Sequence, residues 1–339
     1  MKTPLFKTIT QQIILATLMV AMLAIGWVAA SFTAQTEEVD ISYQRYFNDS
    51  YKIFSLNIPD GLSFAGERVP LEIEDVRESL DRELLVNTYW QSQSLLFHKR
   101  ANRWFPVIEP ILAEHGVPDD FKYLAVIESG LDNVVSPAGA TGYWQIMRET
   151  GREYGLEINN EVDERYNVEK ATVAACKYLN RAYAKYGNWT MAAASYNVGM
   201  RGLERQVERQ KSDSYYDLLL NTETGRYLYR TIAIKEILSK PAQYGFHFRP
   251  KDLYQPYETY SVTVNTAVDD FADFAFEHGV NYKILKILNP WLRDTYITNP
   301  QNKEYTIQLP VKSETGLVPF QLRPEQKALI DTLSSDPIE

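Results

Sequence analysis

Between residues 70 and 245 apolar residues recur at helical spacing, and strand-like alternation is nearly absent. A chain patterned this way buries its apolar stripes helix against helix, so the stretch is expected to fold as an all-α domain. From Glu72 onward, Val76, Leu80, Leu84 and Leu85 supply one apolar stripe. A second helix, roughly 101–115, carries Phe105, Ile108, Ile111 and Leu112 on one face. It closes at His115-Gly116, glycine being common just past a helix end. Pro118-Asp119-Asp120 opens the next helix, with proline in the first turn and acids near the positive dipole end. Further helices fit 168–186, the alanine-rich 190–196, 201–210 and 226–239.

The grammar changes after Pro250 and Pro256. Residues 260–264 (YSVTV) alternate like a strand, 267–277 and 281–288 read as short helices, and 305–309 (YTIQL) is strand-like again. This is a small β-α-α-β module. The fold class is therefore mainly α, with an all-helical domain over 67–249, the module over 258–311 and a tail over 312–339.

Ahead of the helices, Lys2 and Lys7 precede residues 13–30, an uncharged apolar run, and Glu37, Glu38 and Asp40 follow. Residues 1–30 read either as a cleaved signal peptide or as a retained membrane anchor, and 31–66 as a polar tether that packs on the domain toward its end. Both readings of the N-terminus put the bulk of the chain outside the cytoplasm. The net charge of −9 argues against a nucleic-acid partner. The single Cys176 leaves no intramolecular disulfide framework and reads as a small buried hydrophobe. The four His form no ligand pair at helical spacing, so neither a metal nor another cofactor is expected.

One acid is out of place. Phe121, Leu124, Ala125 and Glu128 fall at i, i+3, i+4 and i+7, which puts Glu128 on an apolar helix face. Burial disfavours the charged carboxylate, and a carboxyl kept protonated near neutral pH can donate to a leaving glycosidic oxygen. The alternative is a structural acid paired with an arginine or a backbone group. The loop after Glu128 is rich in small residues, which permit close approach by a ligand. It then supplies Tyr143, Trp144 and Gln145, able to stack on or bond a sugar. Further on, Tyr196 and Asn197 stand at the tip of the alanine-rich helix. No second carboxylate is evident: Asp132 follows Gly130, and Glu149 and Glu153 share the polar face of a later helix. A lone carboxyl suffices where a sugar's own 6-hydroxyl attacks its anomeric carbon, because the tethered nucleophile has a high effective concentration. Hydrolysis, with Asp132 positioning water, and a non-catalytic glycan-binding role are the other readings.

The strings GVPDDFKYLAVIESG (116–130), SPAGATGYWQIM (136–147), TGREYGL (150–156), VDERYNVEKAT (162–172), ASYNVG (194–199) and GRYLYRTIAIKEIL (225–238) together resemble the lytic transglycosylases with a goose-lysozyme-like catalytic domain. The resemblance implies a lysozyme-like helical fold, peptidoglycan glycan strands as partner and non-hydrolytic cleavage that leaves a 1,6-anhydro sugar. It implies Glu128 as the acid and then base, followed by Ser129, with Ser136 near the reacting centre. It puts residues 142–145, including Tyr143 and Gln145, along the glycan groove, and Tyr196 and Asn197 beside the acid. Glu223 matches an acid of the family's late Glu-Thr-Arg-x-Tyr string, which here reads Glu-Thr-Gly-Arg-Tyr, with Arg226 one place later. The module 258–311 resembles a degenerate LysM repeat whose usual Gly-Asp-Thr-Leu reads Asn265-Thr-Ala-Val268. Glycan binding and packing on the helical domain are both open to it. Residues 13–30 could join a membrane.

Overall fold

The computed structural model describes residues 53–313, with residues 19, 41–43, 45, 316 and 317. The apolar run 13–30 apart from residue 19, most of the tether's first part and most of the tail after 313 lie outside the described residues. No helix among the described residues is long and apolar enough to cross a membrane. The chain divides into two units, residues 1–55 and 56–339, and the helical domain and the module both belong to the second.

The end of the expected tether is a two-strand hairpin, β1 (Ser63–Phe64) and β2 (Glu67–Arg68). It is part of the core: Phe64 is fully buried and meets Phe121 edge to face, with ring centroids 5.1 Å apart.

Next in the chain comes the helical domain. Helix α1 (Glu74–Tyr89) buries Val76, Leu80 and Leu84, as their spacing requires, whereas Leu85, expected on the same stripe, is exposed. Helix α2 (Gln91–Glu114) starts well before residue 101, runs through Pro106 and Pro110, and buries Ser94, Phe97, His98 and Ala101 before reaching the expected stripe. A proline normally interrupts a helix by removing a donor and crowding the preceding turn; here the helix continues through both. After a 3-10 turn, helix α3 (Lys122–Ser129) ends at Gly130, whose φ of 64° is left-handed. A Cβ there would lie 3.0 Å from the Phe97 ring, so close packing as well as backbone conformation calls for glycine.

Short helix α4 (Arg148–Glu153) leads to α5 (Val168–Tyr186), which is capped by the Asn167 side chain and closed by Gly187. Helix α6 (Trp189–Val198) is the alanine-rich one. Ala192, Ala193 and Ala194 are fully buried, so neighbouring helices pack closely around it. Its N-terminus has two caps. Asn188 accepts from the Met191 N–H, and the Glu67 carboxylate of the hairpin accepts from the Trp189 and Thr190 N–H groups at 2.5 and 2.9 Å. Helix α7 (Met200–Gln210) follows, then α8 (Thr222–Ser239), capped by Asn221. Helix α8 is buried on nearly every side and packs against α1, α3 and α6.

The module pairs β3 (Thr259–Val264) antiparallel with β4 (Tyr305–Pro310), in register from Thr259↔Pro310 to Val264↔Tyr305. Between them come α9 (Phe271–Glu277) and α10 (Tyr282–Leu288), which with the sheet enclose Phe271, Leu285, Leu292 and Ile307. The expected β-α-α-β order is thus observed. Residues 161–166 of the helical domain dock onto it. Asp163 N–H donates to the Trp291 carbonyl at 2.9 Å, Arg293 N–H to the Glu161 carbonyl at 2.7 Å, and the Arg293 guanidinium lies 3.9 Å from the Tyr166 ring centre.

Candidate active site

Helix α3 carries Glu128 on the side of Phe121, Leu124 and Ala125, all fully buried, and leaves Glu128 half-buried at its C-terminal end. Its carboxylate oxygen accepts a hydrogen bond from the Tyr227 hydroxyl at 2.5 Å. Burial pushes the Glu128 carboxyl up to about 7; the Tyr227 bond and the Arg230 charge pull it down, and the Glu223 charge adds to the rise. A carboxyl poised there is about half protonated at neutral pH and can both give and take a proton.

The groups around it come from two helix ends. Tyr196, on α6, is half-buried and electrostatically coupled to Glu128. Its hydroxyl donates to the Trp144 carbonyl at 2.8 Å, and burial holds the phenol neutral, well above its ordinary range. The next residue, Asn197, contacts Glu223 through its amide nitrogen at 3.4 Å and accepts from the Thr224 hydroxyl at 2.7 Å. The tip of α6 is thereby tied to the first turn of α8. Glu223 is exposed there, Tyr227 stands one turn further along, and half-buried Arg230 follows. The structure thus gathers Glu128, Tyr196, Asn197 and Glu223. It adds Tyr227 and Arg230, which sequence reasoning missed. The spacing of Tyr227 from Glu223, four residues and one helical turn, is a weak local signal, and the wide burial of the helix masks it.

The loop between Glu128 and Gln145 turns its polar groups on itself. The Ser129 hydroxyl donates to the Tyr143 carbonyl at 2.8 Å and also contacts the Ala125 carbonyl. Ser136 accepts from the Ala140 N–H at 3.0 Å, closing its own turn. The Gln145 amide donates to the Val134 and Gly142 carbonyls, and Gln145 itself has a φ of 46°. Tyr143 is 5% exposed and meets Trp104 edge to face, and Trp144 is fully buried with its indole N–H on the Thr172 hydroxyl at 2.8 Å. Both rings are largely enclosed by the domain.

A buried ion pair clamps the same loop. Arg165 binds Asp163 at 2.7 Å and donates to the carbonyls of Gly139 and Ile146. Gly142 fits beneath it: a Cβ there would lie 2.0 Å from the Arg165 carbonyl oxygen. Asp132, past the Gly130 break, pairs with Arg100 at 2.8 Å. Glu149 and Glu153 are solvent-exposed, on ion pairs with Arg152 and Arg181. Cys176 is a buried free thiol, pushed up to about 12 by burial.

Comparison with known families fits this arrangement. A family model described as the transglycosylase SLT domain matches residues 106–219. One described as the soluble lytic transglycosylase C-terminal LysM-like domain matches residues 260–313. The membrane-bound lytic murein transglycosylase D of Escherichia coli (strain K12) is 28% identical over 272 residues, covering 77% of this chain and 56% of that protein. The same protein of Escherichia coli O6:H1 matches to the same extent. The chain therefore spans little more than half the length of these curated relatives. Its helical domain contains a transglycosylase SLT domain, and the module behind it is a LysM-like domain.

Proposed function

We propose that the chain is an exported peptidoglycan lytic transglycosylase that acts on the β-1,4 bond between N-acetylmuramic acid and N-acetylglucosamine. The observation that carries this reading is a single half-buried carboxyl, Glu128, raised to about 7 and hydrogen-bonded by a buried phenol. Protonated Glu128 gives its proton to the glycosidic oxygen as the bond from that oxygen to the anomeric carbon breaks. The resulting carboxylate takes the proton of the muramic acid 6-hydroxyl as that oxygen bonds to the anomeric carbon. The product is a 1,6-anhydro ring, and Glu128 is protonated again. Burial serves both halves, since a carboxyl with a pKa near the working pH is an effective acid and an effective base. Tyr227 orients the carboxyl, while Asn197 and Glu223 supply polar groups for a sugar on the exposed side.

Glu223 also supports a second reading. It is electrostatically coupled to Glu128, and a water held by it would give hydrolysis instead. Asp132, the carboxylate nearest to Glu128 in the chain, is already engaged by Arg100. Digestion of purified peptidoglycan by wild type and Glu128→Gln, with mass analysis of the muropeptides, separates the readings. Anhydro ends, one water lighter than reducing ends, with loss of roughly a thousandfold in rate in the variant, are expected. Reducing ends would favour hydrolysis, and an undiminished variant would remove Glu128 from the chemistry. The relatives are described as membrane-bound, which supports a cell-envelope location, with residues 1–30 serving export or anchoring.

A further inference from the structure

A second buried carboxylate approaches α8 from another helix. Glu83, on α1, is 1% exposed. It accepts from Arg226 Nε at 2.7 Å and Nη2 at 3.4 Å, contacts Arg82, and lies 3.5 Å from the Asn87 amide nitrogen. Arg226 is the arginine that sits one place late in its string, and its neighbour in the chain is Tyr227, whose hydroxyl reaches Glu128. Arg230 is one helical turn beyond Arg226 and interacts electrostatically with both Glu83 and Glu128. Arg230 therefore faces both acids, while Arg226 binds Glu83 directly. Stability alone is a poor reason for such an arrangement, because desolvating an ion pair largely offsets its attraction.

We infer that Glu83 is a positioning residue for Glu128: it anchors the first turns of α8 through Arg226 and balances the positive charge that Arg230 would otherwise project onto the acid. It acts through α8 and does not touch the substrate. The inference rests on the reading of Glu128 as proton donor.

The charged and titratable groups facing Glu128 are Tyr227, Arg230 and Glu223 from α8 and Tyr196 from α6. Those facing Glu83 are Arg82 on its own helix, Arg226 and Arg230 from α8, and the Tyr215 phenol. Removing the Glu83 charge leaves Arg230 uncompensated, which favours the Glu128 carboxylate and makes it lose its proton at lower pH. Removing Arg230 does the opposite.

The test is the pH profile of kcat/KM on glycan strands for wild type, Glu83→Gln, Arg230→Gln and the double variant. The side-chain carboxyl carbon shift of Glu128 is titrated in the same proteins. The alkaline limb and the carbon titration should both move down by roughly half a unit or more in Glu83→Gln, move up in Arg230→Gln, and return close to wild type in the double variant. Glu83→Asp, which keeps the charge, should stay near wild type. Midpoints that coincide in all four proteins, or an Asp variant shifted as far as the Gln variant, would overturn the inference. Should Glu83→Gln not fold, an unmoved midpoint in Arg230→Gln overturns it alone. The carbon titration needs no turnover, so a wild type that made no anhydro product would refute the proposed function and leave this inference to be judged separately.

Discussion

The loop of residues 130–146 and the first turns of α8 both belong to the surroundings of Glu128, yet they use their polar groups differently. In the loop, Gln145, Ser136 and Trp144 each bond a group of the protein itself, and the Asp163–Arg165 pair locks the result. In α8, Glu223 is exposed, Tyr227 holds the acid and Arg230 sets part of its field. The loop is a scaffold that fixes where α3 ends and where Tyr196 can be anchored. The helix supplies the groups that meet the Glu128 carboxyl. Substitutions in the loop should therefore lower stability and activity together, whereas conservative substitutions at Glu223, Tyr227 and Arg230 should change activity or its pH dependence with little loss of stability.

The largest expected effect is at Gly142. Gly142→Ala places a methyl 2.0 Å from a backbone oxygen and should lower stability by on the order of 5 kcal/mol or prevent folding, as read by denaturant unfolding. Next, Asp163→Asn leaves buried Arg165 without its countercharge. A loss of about 3–5 kcal/mol is expected in the same measurement. An unchanged midpoint in either case would mean that the loop is not the rigid part.

Glu128 itself gives a linkage prediction. Its folded pKa lies above its ordinary value, so the folded state binds the extra proton and is favoured at low pH. As pH rises from about 4.5 to about 7, wild type should lose on the order of 2–3 kcal/mol relative to Glu128→Gln. Parallel stability curves for the two proteins would show that burial does not strain this acid. The smallest effect belongs to Tyr227→Phe. It removes a hydrogen bond that favours the carboxylate, so the alkaline limb of the activity profile should move upward, with kcat down about ten- to a hundredfold and little change in Tm. A downward shift would sink the role given to this phenol.

Much of the fold was legible because its cause is local. The stripe Val76, Leu80, Leu84 and the cap at Gly187 are set by helix geometry, and the placement of Glu128 on the apolar side comes from the same period. The start of α2 was not legible, because the residues it buries before Ala101 include the polar Ser94 and His98, which leave no continuous apolar stripe over 91–100. Tyr143 and Trp144 looked like ligand-facing rings because nothing in their own segment shows that Trp104 and Thr172 await them. Tyr227 was hidden for another reason. It lies 99 residues from Glu128, on a helix so widely buried that no polar face marks one side as functional.

The Glu67 carboxylate at the head of α6 fixes where a working piece of this protein can be cut. A fragment trimmed to the matched span 106–219 would discard Glu67 with its hairpin, α1 with Glu83 and all of α8 with Tyr227. It would keep the acid and lose both its phenol and one of the two caps on the helix that presents Tyr196. A cut immediately before residue 67 would spare the carboxylate but remove Leu62 and Phe64 from the core. The smallest fragment that retains these contacts starts ahead of Leu62 and runs past Ser239.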